Sequence, residues 1–354
     1  MMEVNDMNIR PADCLEGIDL PDRWHVESKL IRHPKSTGGC FSVSYIVKNN
    51  EGKKAFLKAM DLFSALRSKD FMFELRELTN AFIFERDLLE KCKECSRVVT
   101  PITSGYVDVS RFGELGKVPY FIFELAEHDI RSQVYLWKEF DIAWALRSLH
   151  HSSVGLQQLQ IKHIAHQDIK PSNVLYYTEN GSQLSDLACS SYASTPSRND
   201  EYQIAGDPEY AAPELFYGWS NLSGFERRFI ADLYLLGNLV YFFFLGTSAT
   251  AVLWYILSND FKGQFKRSSF EEDLPYLQSA FSKSLSRLEA SELLSEYKES
   301  GKIVVQIARE LCEPDPRRRG NPRIFGTVIP QWDVQTYITR FDLLARRAER
   351  RLVL

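Results

Sequence analysis

Residues 41–47, FSVSYIV, put Phe41, Val43, Tyr45 and Val47 on alternate positions, the period-two pattern of a half-buried strand. The turn signal NNEG separates this run from KKAFLKAM, and the pair predicts an antiparallel hairpin. VVTPITSGYVDV and VPYFIFELA predict two further strands about a glycine-bearing connection. One helix interrupts the strands at about residues 70–94, where Leu75, Leu78, Phe82, Leu89 and Cys92 recur at helical spacing. Glu85 completes that stripe. Either it bends out to water as a boundary carboxylate, or it turns inward, where a buried charge requires a cation. Lys58, in the otherwise apolar run KAFLKAM, is the candidate partner.

The second half is mainly helical. Residues 140–160 predict a helix, and VLYYTENGSQL predicts a tight hairpin with Asn180-Gly181 in the positive-φ positions of a type I′ turn. Residues 190–205, rich in Ser, Thr, Asn and Asp, predict a mobile loop. Helices dominate from Glu226 onward. The last, at about 331–353, carries Arg340, Arg346, Arg347, Arg350 and Arg351 and gives a basic C-terminal end. Leu233–Leu257 holds no charge and exceeds the ~20 residues that span a bilayer. GTSAT interrupts it and Asn238 lies inside it, so a buried helix, a turn and a second helix explain the run equally well. Residues 1–23 are polar, contain two prolines and read as an extension.

Composition narrows the classes. A chain of 354 residues accommodates two core-forming units, and 44% hydrophobic with 25% charged residues is ordinary for a globular protein. The net charge of −4 argues against a general polyanion binder, so nucleic acid is not an expected partner. Six cysteines are scattered, which suits a reducing compartment and a cytoplasmic location. Cys92 and Cys95 form one CxxC, but no second ligand pair is spaced to complete a zinc site. The opening MMEVNDMNIR is acidic where a secretory signal is basic and then apolar, and no membrane span is expected.

The chemistry concentrates in residues 166–173, HQDIKPSN. Pro171 cannot continue a helix, so these polar side chains belong to a loop. The following hairpin carries the chain to Asp186 in LSDLACS, so Asp168, Asn173 and Asp186 can meet at one end of a short sheet. Two carboxylates and an amide oxygen are hard donors suited to Mg²⁺ beside phosphates. Lys170 and Lys58 supply cations for a transferring phosphoryl group.

In order and spacing these motifs resemble the eukaryotic-type serine/threonine protein kinases. The family carries H-R-D-x-K-x-x-N ahead of a D-F-G aspartate, with a strand lysine and a helix glutamate upstream. HQDIKPSN matches at His166, Asp168, Lys170 and Asn173, and LSDLA puts Asp186 at the magnesium aspartate. AFLK puts Lys58 at the strand lysine, and Glu85 falls at the helix glutamate. GDPEYAAPE resembles the end of an activation segment, with Ala212-Pro213-Glu214 as its closing triplet. DLYLLG looks like the buried helix that follows, and DPRRR puts Arg319 where the family pairs an arginine with the triplet glutamate.

The resemblance implies an α+β, bilobal kinase fold over about residues 24–325. An antiparallel-sheet N-lobe with one helix (24–125) would precede a mainly helical C-lobe (126–325), flanked by extensions 1–23 and 326–354. It implies ATP and Mg²⁺ as cofactors and protein Ser/Thr hydroxyls as acceptors, with the particular substrate and oligomeric state left open. Asp168 would take the acceptor proton, Lys170 would neutralise the γ-phosphate, and Lys58, paired with Glu85, would grip the α- and β-phosphates. Asn173 and Asp186 would hold Mg²⁺. Gly38, Gly39, Cys40, Phe41, Lys58, Glu124 and Ala126 complete the nucleotide-binding set. A catalytically weak nucleotide-gated scaffold and a small-molecule kinase are the alternatives.

Departures from the family pattern fall at defined positions. Thr37 and Ser42 replace two glycines of the phosphate loop, and Phe56, with the smaller Ser44 opposite, replaces a small alanine above the adenine. Leu187 and Ala188 replace the Phe and Gly of D-F-G. Asp207 replaces a threonine, where it would either pair with Lys170 or crowd Asp168. Gln167 replaces the arginine that meets a phosphorylated activation segment, so activity independent of that phosphorylation is expected.

Overall fold

The computed structural model describes residues 10–21, 23–31, 42–136, 139–219, 224–263, 265, 267–295 and 297–352. Two compact units divide the chain: residues 1–93 with 99–127, and residues 94–98 with 128–354.

In the first unit, strands β1 (Trp24–Lys29), β2 (Ser42–Asn49), β3 (Lys54–Met60), β4 (Pro101–Asp108) and β5 (Lys117–Glu124) form one antiparallel sheet in the order β1-β2-β3-β5-β4. Helix α1 (Phe71–Lys91) lies between β3 and β4 in the chain; Asp70 caps it by accepting the N–H of Phe73 at 3.0 Å. Alternation sorts the side chains of β3 onto two faces. Ala55, Leu57 and Ala59 are fully buried on one; Phe56 and Lys58 lie on the other, where Lys58 pairs across to Phe121. Phe121 in turn meets Phe82 of α1 at 4.8 Å between ring centroids.

The register moves one expectation. Ile46 stands directly opposite Phe56, while Ser44 stands opposite Lys58, so the space that Ser44 leaves is two residue pairs farther along, at the next position on that face. The described part of the presumed N-terminal extension also takes a different role. Ala12, Leu15 and Leu20 are buried against Tyr45, Val47, Leu57 and Ile122 on the face of the sheet away from Lys58. Tyr45 Oη donates to the Ala12 carbonyl at 2.7 Å, and Arg10 bridges Asp13 and the buried Asp61. Three apolar positions among polar neighbours were too few to show a periodicity. The sheet face they cover supplies the pattern.

The second unit contains the short strand β6 (His128–Asp129) and helix α2 (Ile130–Leu136), then α3 (Ile142–Ile161) and β7 (Ile164–Ala165). A hairpin follows, β8 (Val174–Tyr177) and β9 (Gly181–Leu184), and then β10 (Ser191–Tyr192), which pairs with β7. The remaining helices are α4 (Glu226–Leu245), α5 (Ala249–Asp260), α6 (Phe270–Glu289), α7 (Glu292–Ser295), α8 (Lys298–Leu311) and α9 (Gln335–Leu352). Among the described residues α4 alone is long and apolar enough to cross a membrane, and 89% of its most apolar window is buried inside the protein. It is the buried helix of the sequence reading, ending at Gly246 (φ +70°) before the turn into α5.

Three sequence expectations change here. The hairpin closes through a three-residue connection, Thr178–Asn180, onto the pair Tyr177–Gly181, and of Asn180 and Gly181 only the glycine is left-handed (φ +69°). A Cβ at position 181 would sit 2.5 Å from the His151 ring, which explains glycine there. Residues 190–205 are tied down rather than loose, with Ser190 and Ser191 fully buried. Finally, α9 is part of the core and not an appendage. Tyr337, Phe341 and Ala345 are fully buried, α9 packs along α3, and Arg147 of α3 meets Asp342 at 2.7 Å and Glu349 at 2.8 Å.

Candidate active site

The loop after β7 brings its polar groups together because Pro171 opens a single 3₁₀ turn, Pro171–Asn173, that reverses the chain into β8. Asp168 is 7% exposed and fully engaged. Its Oδ1 accepts the Asp207 backbone N–H at 2.8 Å, and its Oδ2 accepts Asn173 Nδ2 at 2.9 Å and lies 3.1 Å from Lys170 Nζ. Burial pushes its carboxyl up; Lys170 and the Asp207 N–H work against that shift. For Lys170, burial works to lower the ammonium, but Asp168 and Asp207 outweigh it and the net shift is upward. Of the two possibilities for Asp207, the pairing with Lys170 is the one observed, and toward Asp168 it offers a hydrogen bond rather than a clash. Its carboxylate pairs with Lys170 at 3.2 Å, and its backbone abuts Asp168.

Asn173 shows how a metal would be received. Its Nδ2 donates to both the Asp168 carbonyl and Asp168 Oδ2, each at 2.9 Å. Two acceptors on that side fix the amide orientation, so Oδ1 is the atom of this side chain that would meet a metal. Ser185 joins this residue to the approach to Asp186, its N–H donating to the Asn173 carbonyl at 2.8 Å. Asp186 adopts a left-handed backbone (φ +65°, ψ +80°) and acts electrostatically on both Asp168 and His166. The donor chemistry, an amide oxygen and a carboxylate, fits Mg²⁺, which takes few protein oxygens beside phosphate ligands.

The loop itself hangs from a group that the sequence reading missed. Asp232 of α4 is fully buried and accepts the backbone N–H groups of His166 at 2.7 Å and Gln167 at 2.8 Å. Burial pushes this carboxyl up to about 7, opposed by those two donors. The available signal was a lone carboxylate opening an uncharged run, which has to be partnered if the helix is buried. His166, also fully buried, faces the Ser185 carbonyl at 3.1 Å, and burial lowers it to about 4. Gln167, left-handed at φ +63°, donates from Nε2 to the Cys189 carbonyl at 2.9 Å and to Ser191 Oγ at 2.8 Å.

In the first unit, Lys58 Nζ lies 2.8 Å from Glu85 Oε1, with Glu85 buried, so the inward alternative holds. Glu124 ends β5 opposite Ala55 and meets Lys53 at 3.2 Å; Ala126 follows, half-buried. Gly38, Gly39, Cys40 and Phe41, with Thr37, lie outside the described residues.

The Lys58–Glu85 pair, the loop 166–173, Asp186 and the Ala212-Pro213-Glu214 triplet follow one another in the order of one known family, and the sequence matches its description, Protein kinase domain, over residues 37–323. The chain belongs to the protein kinase family. The Aurora kinase of Debaryomyces hansenii is 30% identical over 129 residues, 35% of this chain and 30% of that protein. The Aurora kinase of Schizosaccharomyces pombe is 31% identical over 128 residues, 36% and 34% of the two chains. The mitosis inhibitor protein kinase SWE1 of Saccharomyces cerevisiae is 29% identical over 231 residues, 62% of this chain and 25% of that protein. The chain thus spans about a third or less of the length of the relatives it matches.

Within this kinase domain, Arg319 and Glu214 form the buried pair that ties the closing triplet to the helical core. The segment between Asp186 and that triplet is held by a fixed carboxylate. Asp200 accepts Ser191 Oγ at 2.6 Å and the Ser197 N–H at 2.8 Å, and pairs with Arg228 at 3.0 Å. Neither Asp200 nor Arg228 stood out in the sequence, because surface Asp and Arg carry no pattern of their own.

Proposed function

We propose that this kinase domain transfers the γ-phosphoryl group of Mg·ATP to serine and threonine hydroxyls of protein substrates, in the cytoplasm, without needing phosphorylation of its activation segment. The arrangement around Asp168 carries the reading. A carboxylate whose two oxygens are fixed by Asp207, Asn173 and Lys170 is set to orient a hydroxyl and accept its proton as the phosphorus–oxygen bond forms. Lys170 would neutralise the transferring phosphoryl group, and Lys58, held by Glu85, would grip the α- and β-phosphates. Asn173 Oδ1 and Asp186 would hold Mg²⁺, which offsets phosphate charge when bound.

Independence from phosphorylation is supported by the Asp200 network. Gln167 has no charge to offer a phosphate, and its amide already binds Ser191, whose hydroxyl reaches the carboxylate of Asp200. A permanent anion paired with Arg228 thus stands within the segment that a phosphate orders in the family pattern. Ser190 and Ser191 are buried, so the informative substitutions are at the exposed Ser194 and Thr195. Phosphatase-treated protein and Ser194→Ala/Thr195→Ala should both retain activity; loss in either removes this part of the proposal.

A nucleotide-gated scaffold is the second reading, favoured by one observation: Phe56 lies half-buried beside Phe123 and Ile46 on the Lys58 face, where a phenyl ring narrows the room for a base. Incubation with labelled ATP, Mg²⁺ and protein substrates separates the two. Transfer that is lost in Asp168→Ala and Asp186→Ala supports the enzyme. Binding without transfer supports the scaffold, and transfer to a metabolite alone supports a small-molecule kinase.

A further inference from the structure

Lys170 serves two carboxylates. Its side chain is 5% exposed, and Nζ lies 3.1 Å from Asp168 Oδ2 and 3.2 Å from Asp207 Oδ2. With one cation against two anions, the cluster has a net charge of −1 before any phosphate arrives. The Asp207 carboxylate is itself anchored, since its Oδ1 accepts the Glu209 N–H at 3.0 Å and its side chain is only 12% exposed. Its backbone is fixed as well, by the N–H donated to Asp168 Oδ1 at 2.8 Å. Gly206 makes that approach possible: a Cβ there would fall 2.2 Å from the Gln167 carbonyl oxygen and 2.8 Å from Asp168 Oδ1. With the backbone fixed there, a carboxylate that swung away from Lys170 would also give up the Glu209 N–H.

We infer that Asp207 is a specificity-determining residue for the nucleotide, a built-in competitor for Lys170 that weakens the hold on a terminal γ-phosphate and narrows the preference for ATP over ADP. This rests on the kinase reading above, in which Lys170 meets the γ-phosphate. A phosphate reaching Lys170 must share a cation already neutralised by Asp207, and it approaches a like charge in a largely desolvated site. ADP has no group at that position and is indifferent to residue 207. A neutral hydroxyl or amide at 207 would keep one oxygen, to be shared between Lys170 and the Glu209 N–H, and the same backbone N–H for Asp168, while removing the charge.

The test is calorimetric titration of the full chain with Mg·ADP and with a non-hydrolysable Mg·ATP analogue, for wild type, Asp207→Asn and Asp207→Thr. Both variants should bind the ATP analogue roughly 3- to 10-fold more tightly, with ADP affinity changed by less than about twofold. Equal changes for both nucleotides would mean a general effect on the fold and would overturn the inference, as would no change for either. A wild type that binds both nucleotides while the variants show no difference between them sinks this inference alone. A wild type that binds neither sinks the kinase reading with it. Because Asp207→Asn and Asp207→Thr differ in shape but share the loss of charge, one that fails to fold leaves the other to decide.

Discussion

Arg319 and Glu214, 105 residues apart in the chain, face each other through two parallel hydrogen bonds of 2.7 Å each. Arg319 is fully buried, and its Nε also donates to the Glu313 carbonyl at 2.9 Å. Removing one partner leaves the other as an uncompensated buried charge. Arg319→Ala should therefore cost about 3–5 kcal/mol in urea unfolding at neutral pH. Replacing both partners, as in Arg319→Met/Glu214→Leu, should cost less than the single change. Additive losses would show that something other than the unpaired charge is responsible.

Lys58 and Glu85 make a different prediction, because on the proposed reading Lys58 meets the nucleotide phosphates and Glu85 holds its ammonium in place. Glu85→Gln keeps the shape but removes the charge that fixes Nζ at 2.8 Å. The KM for ATP should rise roughly 10- to 100-fold with the melting temperature almost unchanged. A large drop in stability with an unaltered KM would assign the pair to the fold alone.

The N-terminal segment should behave as core. Leu15 is fully buried, so Leu15→Ala should cost about 2–5 kcal/mol. Tyr45→Phe, which removes the hydroxyl bonded to the Ala12 carbonyl, should cost about 1 kcal/mol. Both are read from urea midpoints. Changes within experimental error would return residues 10–20 to the status of an extension.

Acid should destabilise the second unit through its histidines. Burial, then nearby Arg97, holds His151 down to about 3, and burial holds His166 down to about 4. Unfolded histidine titrates near 6.5, so below that pH the unfolded chain binds more protons. Stability present above about 6.5 is then lost as pH falls toward about 4, at roughly 1.4 kcal/mol per pH unit for each group. Asp232, raised to about 7, has the opposite sign and gains on acidification over about 4 to 7. His150, also lowered by burial, adds to the loss, and Asp168, raised by burial, adds to the gain, so three histidines against two carboxylates leave a net loss. Urea midpoints should fall from pH 6.5 to 4.5, and His151→Gln should flatten the slope; an unchanged slope would remove His151 from the account.

Local signals carried much of the fold. Alternation in FSVSYIV and KKAFLKAM marked β2 and β3, and the stripe from Leu75 to Cys92 marked α1, because a sheet face and a helix stripe each bury side chains at a fixed period. The groups of HQDIKPSN were legible for the same reason, being neighbours in sequence on a loop set by Pro171. What the sequence determined by itself was therefore the central strands and main helices, their order and the chemistry carried on one short loop.

Tertiary structure decided what depends on distant partners. Whether Glu85 faced water or Lys58 was open until α1 settled against the sheet. The anchoring of His166 and Gln167 by Asp232 joins residues 65 or more apart, and Asp200 finds Arg228 across a turn and a helix end. Ala12 and Leu15 became core only because the far face of the sheet needed a cover. In each case a buried charge, donor or apolar surface has to be matched, but sequence spacing does not say by which residue. Only the folded chain brings the partner within 3 Å.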